Sequence, residues 1–439
     1  MKVLYECHDL TLQGGTGIAT YIRSLAKVAK ELGYRTQALH GVSHRIGKNQ
    51  SLLDEVRLHD PGTQRRPSAL TRHARTMLAV ADTALGVAPS RLEKPKFVID
   101  PSRGQIFDSF DDVLVATRLF DRARVHLRVY NDLLKLRLRS PPDIFHASRP
   151  VPVRAAGSIN VYTIHDLIPL ILPYTTLDNK RLLYKVVQAI ADKADHIITV
   201  SENSKRDIIK ILGVGEDRVT NAYQAVSFPE EYVGRSEDEL AEELQRSYGL
   251  RYGEYFLHYG AVEPKKNIRR LVEAYRLSGI DRPLILAGQL GWMYEQDLEA
   301  INDEGFLRYT IRGESITKST RVRRLPYLTR RRLVALIKGA RAVLFPSLYE
   351  GFGLPVLEAM LLGTPVMTSN TSSLSEIGHD AAVLVDPYDV ERMAEAIRSL
   401  DCDADLRMAM RERGVARAAV FSTENYKARI ADIYGRLLS

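Results

Sequence analysis

The chain has 439 residues, more than one hydrophobic core usually serves, so two domains are expected. Its 45% apolar and 26% charged content is that of a globular protein, and no run approaches the ~20 apolar residues that would cross a bilayer. The net charge of +8 asks for an anionic partner, whether nucleic acid, anionic lipid or a phosphorylated small molecule.

No zinc-finger spacing, aromatic RNA-binding strand or basic low-complexity tail is present, so nucleic acid is set aside. Cys7 and Cys402 lie at opposite ends without metal-type spacing, which excludes a disulfide framework and fits a reducing compartment. Residues 1–20 lack the basic head and long apolar core of a signal peptide, so a cytoplasmic location is expected.

Lys2-Val3-Leu4-Tyr5 predicts a first strand, followed by the loop Gly14-Gly15-Thr16-Gly17. Ile18, Tyr21, Ile22, Leu25 and Val28 keep the three-four spacing of a helix over 18–32, closed by Gly33, and 36–39 reads as a second strand. This is the opening of a nucleotide-type βαβ unit, although no acidic residue stands where a ribose acceptor should. From 43 to 140 the chain is less regular and more basic, with Arg65, Arg66, Arg72 and Arg75 clustered. Arg118, Arg122, Arg124, Arg128, Lys135, Arg137 and Arg139, interleaved with Leu, Val and Tyr, predict one long helical stretch. Its basic face is either solvated, or docks on anionic lipid head groups or a charged acceptor.

The strand pattern resumes at 143–146 and at 161–164, the latter ending in His165-Asp166-Leu167, at the strand end where α/β folds put their ligands. A helix over 180–193, a strand over 196–201 and a helix over 205–212, capped by Ser201 or Ser204, follow. Residues 227–250 are acidic and read as a connection, so the domains are drawn at 1–230, 231–250 and 251–421. A second alternation then runs through strands at 255–259, 283–287, 342–345, 365–368 and 382–385. Two such runs define an α/β protein of two doubly wound domains with the site between them.

Within the second run, 342–345 leads into Ser347-Leu348-Tyr349-Glu350-Gly351-Phe352-Gly353-Leu354-Pro355 and on to Glu358. Strand, glycine loop and helix start offer free N–H groups and a positive dipole end to an anion. The carboxylates Glu350 and Glu358 suit hydroxyls better than phosphate. The acidic run 401–405 precedes a helix, where cap and dipole roles account for it without a metal. A final amphipathic helix over 423–438 ends the sequence.

Taken in order, these motifs resemble the family-4 retaining glycosyltransferases of the GT-B fold. The resemblance rests on Phe345-Pro346-Ser347 through Glu358, Gly363-Thr364-Pro365-Val366 and Asp386-Pro387. It is supported by Thr163-Ile164-His165-Asp166-Leu167, Thr199-Val200-Ser201, Gly260 with Glu263-Pro264-Lys265-Lys266-Asn267, the Gly14-Gly15 loop and Gly288-Gln289-Leu290-Gly291-Trp292. It implies a donor site in the second domain, an acceptor site mainly in the first, and a last helix, 422–439, that returns to the first domain. By the same resemblance Glu358 binds the nucleotide ribose, and Glu350 lies by the hydroxyls of the transferred sugar. Gly351, Phe352, Gly353 and Leu354 would contact sugar and diphosphate through the backbone, with Gly14, Gly15, Gly260 and Gly288 at the donor. Lys266 would neutralise the leaving diphosphate, and His165 would contact the sugar near the reacting carbon. Tyr327, within 325–328, would lie where the base is cradled.

Family members often carry an arginine after the glycine matching Gly260; here the residue is Ala261, and Arg269, Arg323 and Arg324 are candidate replacements. Retention in the family is explained without a protein nucleophile, and no strand-end Asp-x-Asp motif is present, so no cofactor or metal is expected. The run 263–267 resembles that of bacterial O-antigen mannosyltransferases, which favours GDP-mannose as donor with UDP-hexoses open. The expected acceptor is a saccharide or lipid-linked saccharide of polysaccharide or lipopolysaccharide assembly, with peripheral contact to an anionic membrane through the basic helices. The alternatives are a sugar-nucleotide epimerase of the same fold and a non-catalytic basic protein at a membrane surface.

Overall fold

A computed structural model describes residues 1–11, 17–42, 56, 83–93, 108–312, 315–326 and 328–439. The first half builds an eight-stranded sheet around β1 (Lys2–Glu6). On one side lie β2 (Arg35–Val42), then β4 (Asp112–Thr117), with β3 (Ser90–Leu92) at the edge. On the other lie β6 (Ile144–Ala147), β8 (Ile159–Thr163), β9 (His196–Thr199) and β10 (Val219–Asn221). All neighbours are parallel except β3 with β4. A separate parallel pair joins β5 (Leu134–Leu136) to β7 (Val153–Ala155).

Helices cover the sheet: α1 (Gly17–Glu31), α2 (Leu119–Tyr130), α3 (Lys180–Lys193) and α4 (Glu202–Leu212). In α1, Tyr21, Ile22, Leu25 and Val28 are buried while Arg23, Lys27 and Lys30 face water, as an amphipathic pattern dictates. The predicted basic helix over 118–139 is two elements. Asn131 turns left-handed, at φ 50°, and closes α2 on the Leu127 carbonyl. Lys135 then lies in β5, and Arg137 and Arg139 lie beyond it. The predicted cluster at Arg65, Arg66, Arg72 and Arg75 falls outside the described residues.

The second half begins with α5 (Glu237–Tyr248), whose Ser236 and Glu239 form a reciprocal capping box. Its sheet is wholly parallel, in the order β15 (Val322–Leu325), β12 (Leu284–Ala287), β11 (Phe256–Tyr259), β16 (Ala342–Phe345), β17 (Val366–Ser369), β18 (Val383–Val385). β11, β12, β16 and β17 are buried at every residue, as parallel strands covered on both faces must be. The helices are α6 (Ile268–Ser278), α7 (Glu295–Ile301), α8 (Arg330–Lys338), α9 (Leu354–Leu361), α10 (Ser372–Gly378), α11 (Val390–Cys402) and α12 (Ala404–Ala418). The sequence marks no element over 307–320, where an antiparallel hairpin of β13 (Leu307–Arg312) and β14 (Ser315–Thr320) forms.

The last helix, α13 (Thr423–Leu438), lies on the first half. Lys427 pairs with Glu31 of α1 at 3.2 Å, and the Tyr434 hydroxyl bonds His146 Nδ1 at 2.6 Å. In the acidic run, Asp403 caps α12 and Asp401 pairs with Arg282 and Arg341. Both sheets reverse strand order beside their first strand, between β1 and β6 and between β11 and β16. In open α/β sheets such switch points are where ligands bind, beyond the carboxyl ends of the strands. Together these features make the GT-B architecture, two doubly wound domains facing across a cleft. Among the described residues, no helix is long and apolar enough to cross a membrane.

Candidate active site

At the second switch point β11 ends in Gly260, at φ 140°, and β12 in Gly288. A Cβ on Gly288 would overlap the Gly260 carbonyl, so these strand ends close up only with glycine. The chain from Gly260 then runs through a tight turn at Pro264–Lys266, and Asn267, left-handed at φ 60°, starts α6. That turn aims two lysines at one carboxylate. Lys266 Nζ lies 2.5 Å from Glu350 Oε1 and Lys265 Nζ lies 3.6 Å from Oε2; Lys265 also meets Glu263 at 3.5 Å. Burial works to raise the Glu350 carboxyl, but the two lysines outweigh it and hold it down at about 2. Glu350 is therefore ionised at neutral pH. Lys265 is half-buried, which works to lower it, yet Glu350 and Glu263 raise it above the usual range. In Lys266 burial prevails over the support of Glu350, and its affinity for the proton is lowered.

Beyond Glu350, Gly353 at φ 110° turns the chain into α9, with Leu354 and Pro355 in the first turn. Gly17, at the start of α1, faces the Leu354 side chain, so two helix N-termini converge on the cleft. Gly351 packs so closely on His165 and Asp166 that a Cβ would stand 2.8 Å from the His165 carbonyl oxygen. Phe352 is buried. Glu358, about one turn into α9, has its carboxyl pushed up to about 7 by enclosure, against the opposing pull of Arg330 and a hydrogen bond with Tyr259. His165 Nε2 lies 2.9 Å from the Ser148 carbonyl oxygen, which can only accept, so Nε2 carries the proton and Nδ1 is the ring's acceptor. Burial lowers this imidazole, which keeps it neutral. Its ring stands edge-on to Tyr21 at 4.8 Å.

The first switch point carries a second charged cluster. Arg149, just past β6, reaches Asp9 at 3.2 Å and Glu6 at 3.8 Å, and its guanidinium lies 5.2 Å from the centre of the Phe120 ring. Burial pushes the Glu6 carboxyl up to about 7, against the pull of Arg149. Ser148 joins the two clusters: its hydroxyl donates to Glu6 and its carbonyl accepts from His165.

A seam of hydrogen bonds holds the halves together beside the site. Ser201 and Ser204, at the start of α4, both donate to the Gly351 carbonyl, at 2.7 and 3.1 Å. Tyr349 donates to Asp207 and accepts from Asn203, while the Glu376 carboxylate of α10 accepts from the N–H groups of Glu202 and Asn203.

The structure thus brings His165, Lys266, Gly260, Gly288, Glu350, Gly351, Phe352, Gly353, Leu354 and Glu358 to the facing ends of the sheets. Gly14, Gly15 and Tyr327 lie outside the described residues. Of the candidate arginines, Arg323 turns to the Tyr248 carbonyl, Arg324 points to the Gly288 carbonyl at 3.4 Å, and Arg269 fronts a neighbouring groove. The sequence reading passes over Lys265, Arg330 and the Glu6, Asp9 and Arg149 cluster. Arg330 begins α8 and is the cation that acts on Glu358. Charged residues at or just past the ends of apolar strands, as at Glu6 and Arg149, are the signal that would have found the cluster.

Residues 97–227 match the glycosyltransferase family 4 model and residues 242–417 the model of group 1 glycosyl transferases. The chain belongs to this glycosyltransferase family, and it is a transferase of the GT-B class. O-antigen chain mannosyltransferase B of Escherichia coli is 36% identical over 283 residues, 62% of this chain and 69% of that protein. The serotype-specific mannosyltransferase WbdA of Escherichia coli is 30% identical over 63% of this chain, which spans only 33% of that relative. Among solved structures, Anabaena HepE in complex with UDP and glucose shares the fold with TM-score 0.66 at 15% identity, over 99% of this chain and 100% of that one. WaaG, a glycosyltransferase involved in lipopolysaccharide biosynthesis, superposes with TM-score 0.58 at 14% identity over 98% of this chain and 99% of that one.

Proposed function

We propose that the protein transfers a hexose, with retention of anomeric configuration, from a nucleotide sugar to a saccharide or lipid-linked saccharide acceptor in polysaccharide or lipopolysaccharide assembly. The observation that carries this reading is Glu350, held ionised by Lys265 and Lys266 beside the N-terminus of α9. Such a frame can hold a sugar through its carboxylate and a diphosphate through its lysines and helix end, with little rearrangement as charge builds on the leaving group. Glu358 takes the ribose hydroxyls. Arg330 supplies positive charge of the kind that Ala261 lacks. Neutral His165 contacts the sugar from the opposite domain.

A carboxylate locked between two lysines is a poor nucleophile. Retention is then best served by the leaving phosphate helping to deprotonate the acceptor hydroxyl on the same face, while the protein positions both substrates. No metal or cofactor takes part in this scheme. The similarity to the O-antigen mannosyltransferases favours GDP-mannose, with UDP-hexoses next. The exposed side of α2, with Arg124, Arg128, Val129 and Tyr130, suits peripheral contact with an anionic membrane on the cytoplasmic face.

The test is a donor panel with lipid-linked sugar acceptors, with the product anomer assigned and donor binding followed by thermal shift. The expected result is stabilisation by one class of nucleotide sugar and a retained anomer. No shift with any GDP or UDP sugar overturns the reading. Conversion of a sugar nucleotide without acceptor would make the protein an epimerase instead.

A further inference from the structure

Beside the site lies a groove that this transfer scheme leaves unused. Its volume is about 660 Å³, within the range that holds small-molecule ligands. Tyr174 lines it from the first half, and Pro264, Arg269, Arg270, Met293 and Leu348 from the second. One wall is shared with the active site. Leu348 N–H donates to the Lys265 carbonyl at 2.8 Å, and Asn267, also in the lining, donates to the carbonyls of Pro346 and Pro387. An occupant would therefore lie one loop away from Glu350.

Two properties define what would fit. The first is aromatic surface left to solvent around a concavity: Tyr174 is 60% exposed, Tyr388 52% and Trp292 39%. Trp292 Nε1 donates to the Thr175 carbonyl at 2.8 Å, which sets its ring at the rim next to Tyr174. Tyr388 lies under the Arg270 guanidinium, 5.0 Å from ring centre, and its hydroxyl meets that of Tyr174. Exposed large aromatics gathered this way mark a binding surface, since each offers an apolar face with a polar tip. The second property is near-balanced charge. Arg269 and Arg270 stand among Glu273, Glu295 and Asp297, the last accepting from the Arg269 N–H at 3.1 Å. An anion would meet three carboxyls there, and a lipid tail would bury charged groups without partners. A neutral sugar chain offers C–H faces to the rings and hydroxyls to both signs of charge.

We propose that this groove is a subsite for a neutral oligosaccharide, the part of a saccharide acceptor or product remote from the reacting hydroxyl. The proposal rests on the transferase reading above for the origin of that chain, and on the groove itself for its chemistry. Trp292 is the only tryptophan in the sequence, so its emission reports on the rim directly and without donor. Titrating the full chain with α-mannotriose, and separately with maltotriose, should give a saturable change with at least one of them, at concentrations at least tenfold below those needed for the matching monosaccharide. Tyr174→Ala with Tyr388→Ala should weaken that trisaccharide at least tenfold, whereas Tyr388→Phe, which keeps the ring, should stay within about twofold; a thermal melt checks that each variant is folded. No response to either trisaccharide overturns the subsite, as does a response that survives the double substitution. Thermal shift with nucleotide sugars on the same preparation tests the transferase reading separately. A donor shift without a trisaccharide response removes only the groove, and the converse removes the transferase while leaving a saccharide site.

Discussion

At the mouth of the second sheet two lysines, Lys265 and Lys266, hold one carboxylate, Glu350; at the mouth of the first, one arginine, Arg149, is held by two, Glu6 and Asp9. The positions are topologically equivalent, since each cluster stands where its sheet reverses strand order. Glu350 has two cations beside it, one of them shared with Glu263, whereas Glu6 shares its single cation with Asp9, and the two carboxyls respond in opposite directions. Glu350 is held at about 2 by its cations, whereas Glu6 is pushed to about 7 by burial that one arginine does not offset. The same architecture thus provides one mouth where two lysines gather beside a helix N-terminus, and one where carboxyls outnumber the cation. Fold alone does not set the chemistry of either mouth; the side chains at the strand ends do.

The largest expected effect breaks the second mouth. Lys266→Ala should lower kcat by about 10²–10³ while leaving the melt nearly unchanged, because Lys265 still pairs with Glu350. Steady-state kinetics with a comparable loss from a conservative surface lysine would show that the cation has no special place.

Arg149→Met attacks the other mouth and should act on the fold first. It leaves Glu6 and Asp9 buried without their cation, at a cost of about 2–4 kcal/mol in a denaturant melt. The loss should grow above pH 7, where Glu6 must ionise. A variant as stable as the parent would mean that the cluster bears no strain.

The comparison can be sharpened by pH. The folded carboxyl of Glu6 lies above its unfolded value of 4.5, so the native state holds the extra proton between the two and stability falls as pH rises from about 4.5 to 7. Glu350 lies below its unfolded value, so its contribution is complete above about 4.5 and is lost as pH falls toward 2. Glu6→Gln should therefore flatten the melting temperature between pH 5 and 7 by a few degrees and leave the acid limb intact; an unaltered slope would show that Glu6 does not titrate in that window.

The smallest effect concerns Glu358, whose carboxyl also lies at about 7 in the unliganded site. Ionised, it is the stronger acceptor for a ribose diol, so Glu358→Gln should weaken nucleotide binding about tenfold at pH 8 and less at pH 6. Calorimetry that finds equal losses at both values would separate the ribose role from ionisation.

Much of the second half was legible because its signals are local. Ala342–Phe345 is an apolar run of strand length, Gly353 and Pro355 announce the helix start, and Glu350 and Glu358 are placed by that start. The first half was less so. Leu134 to Arg139 alternates apolar with basic residues, a strand period too short to stand out beside the helix before it, and that helix is ended by Asn131 in a left-handed turn without glycine or proline. The pairing of β5 with β7 that decides the matter joins positions about 19 residues apart. The Arg149 cluster is hidden for a similar reason, since Glu6 and Arg149 are neighbours only once β1 and β6 are paired.

The seam between the halves bears on how far they can be exchanged with those of relatives. Ser201 and Ser204 bind a backbone carbonyl, which any sequence with the same loop would supply. The cap that Glu376 places on α4 and the bridge that Tyr349 makes to Asn203 and Asp207 depend on side chains from the other half. A chimera built by joining this first half to a foreign second half would therefore keep its alignment at Gly351 and the Ser201 cap on the Ser204 N–H, but leave the N–H groups of Glu202 and Asn203 without their acceptor, unless a carboxylate at 376 and a tyrosine at 349 travelled with the graft.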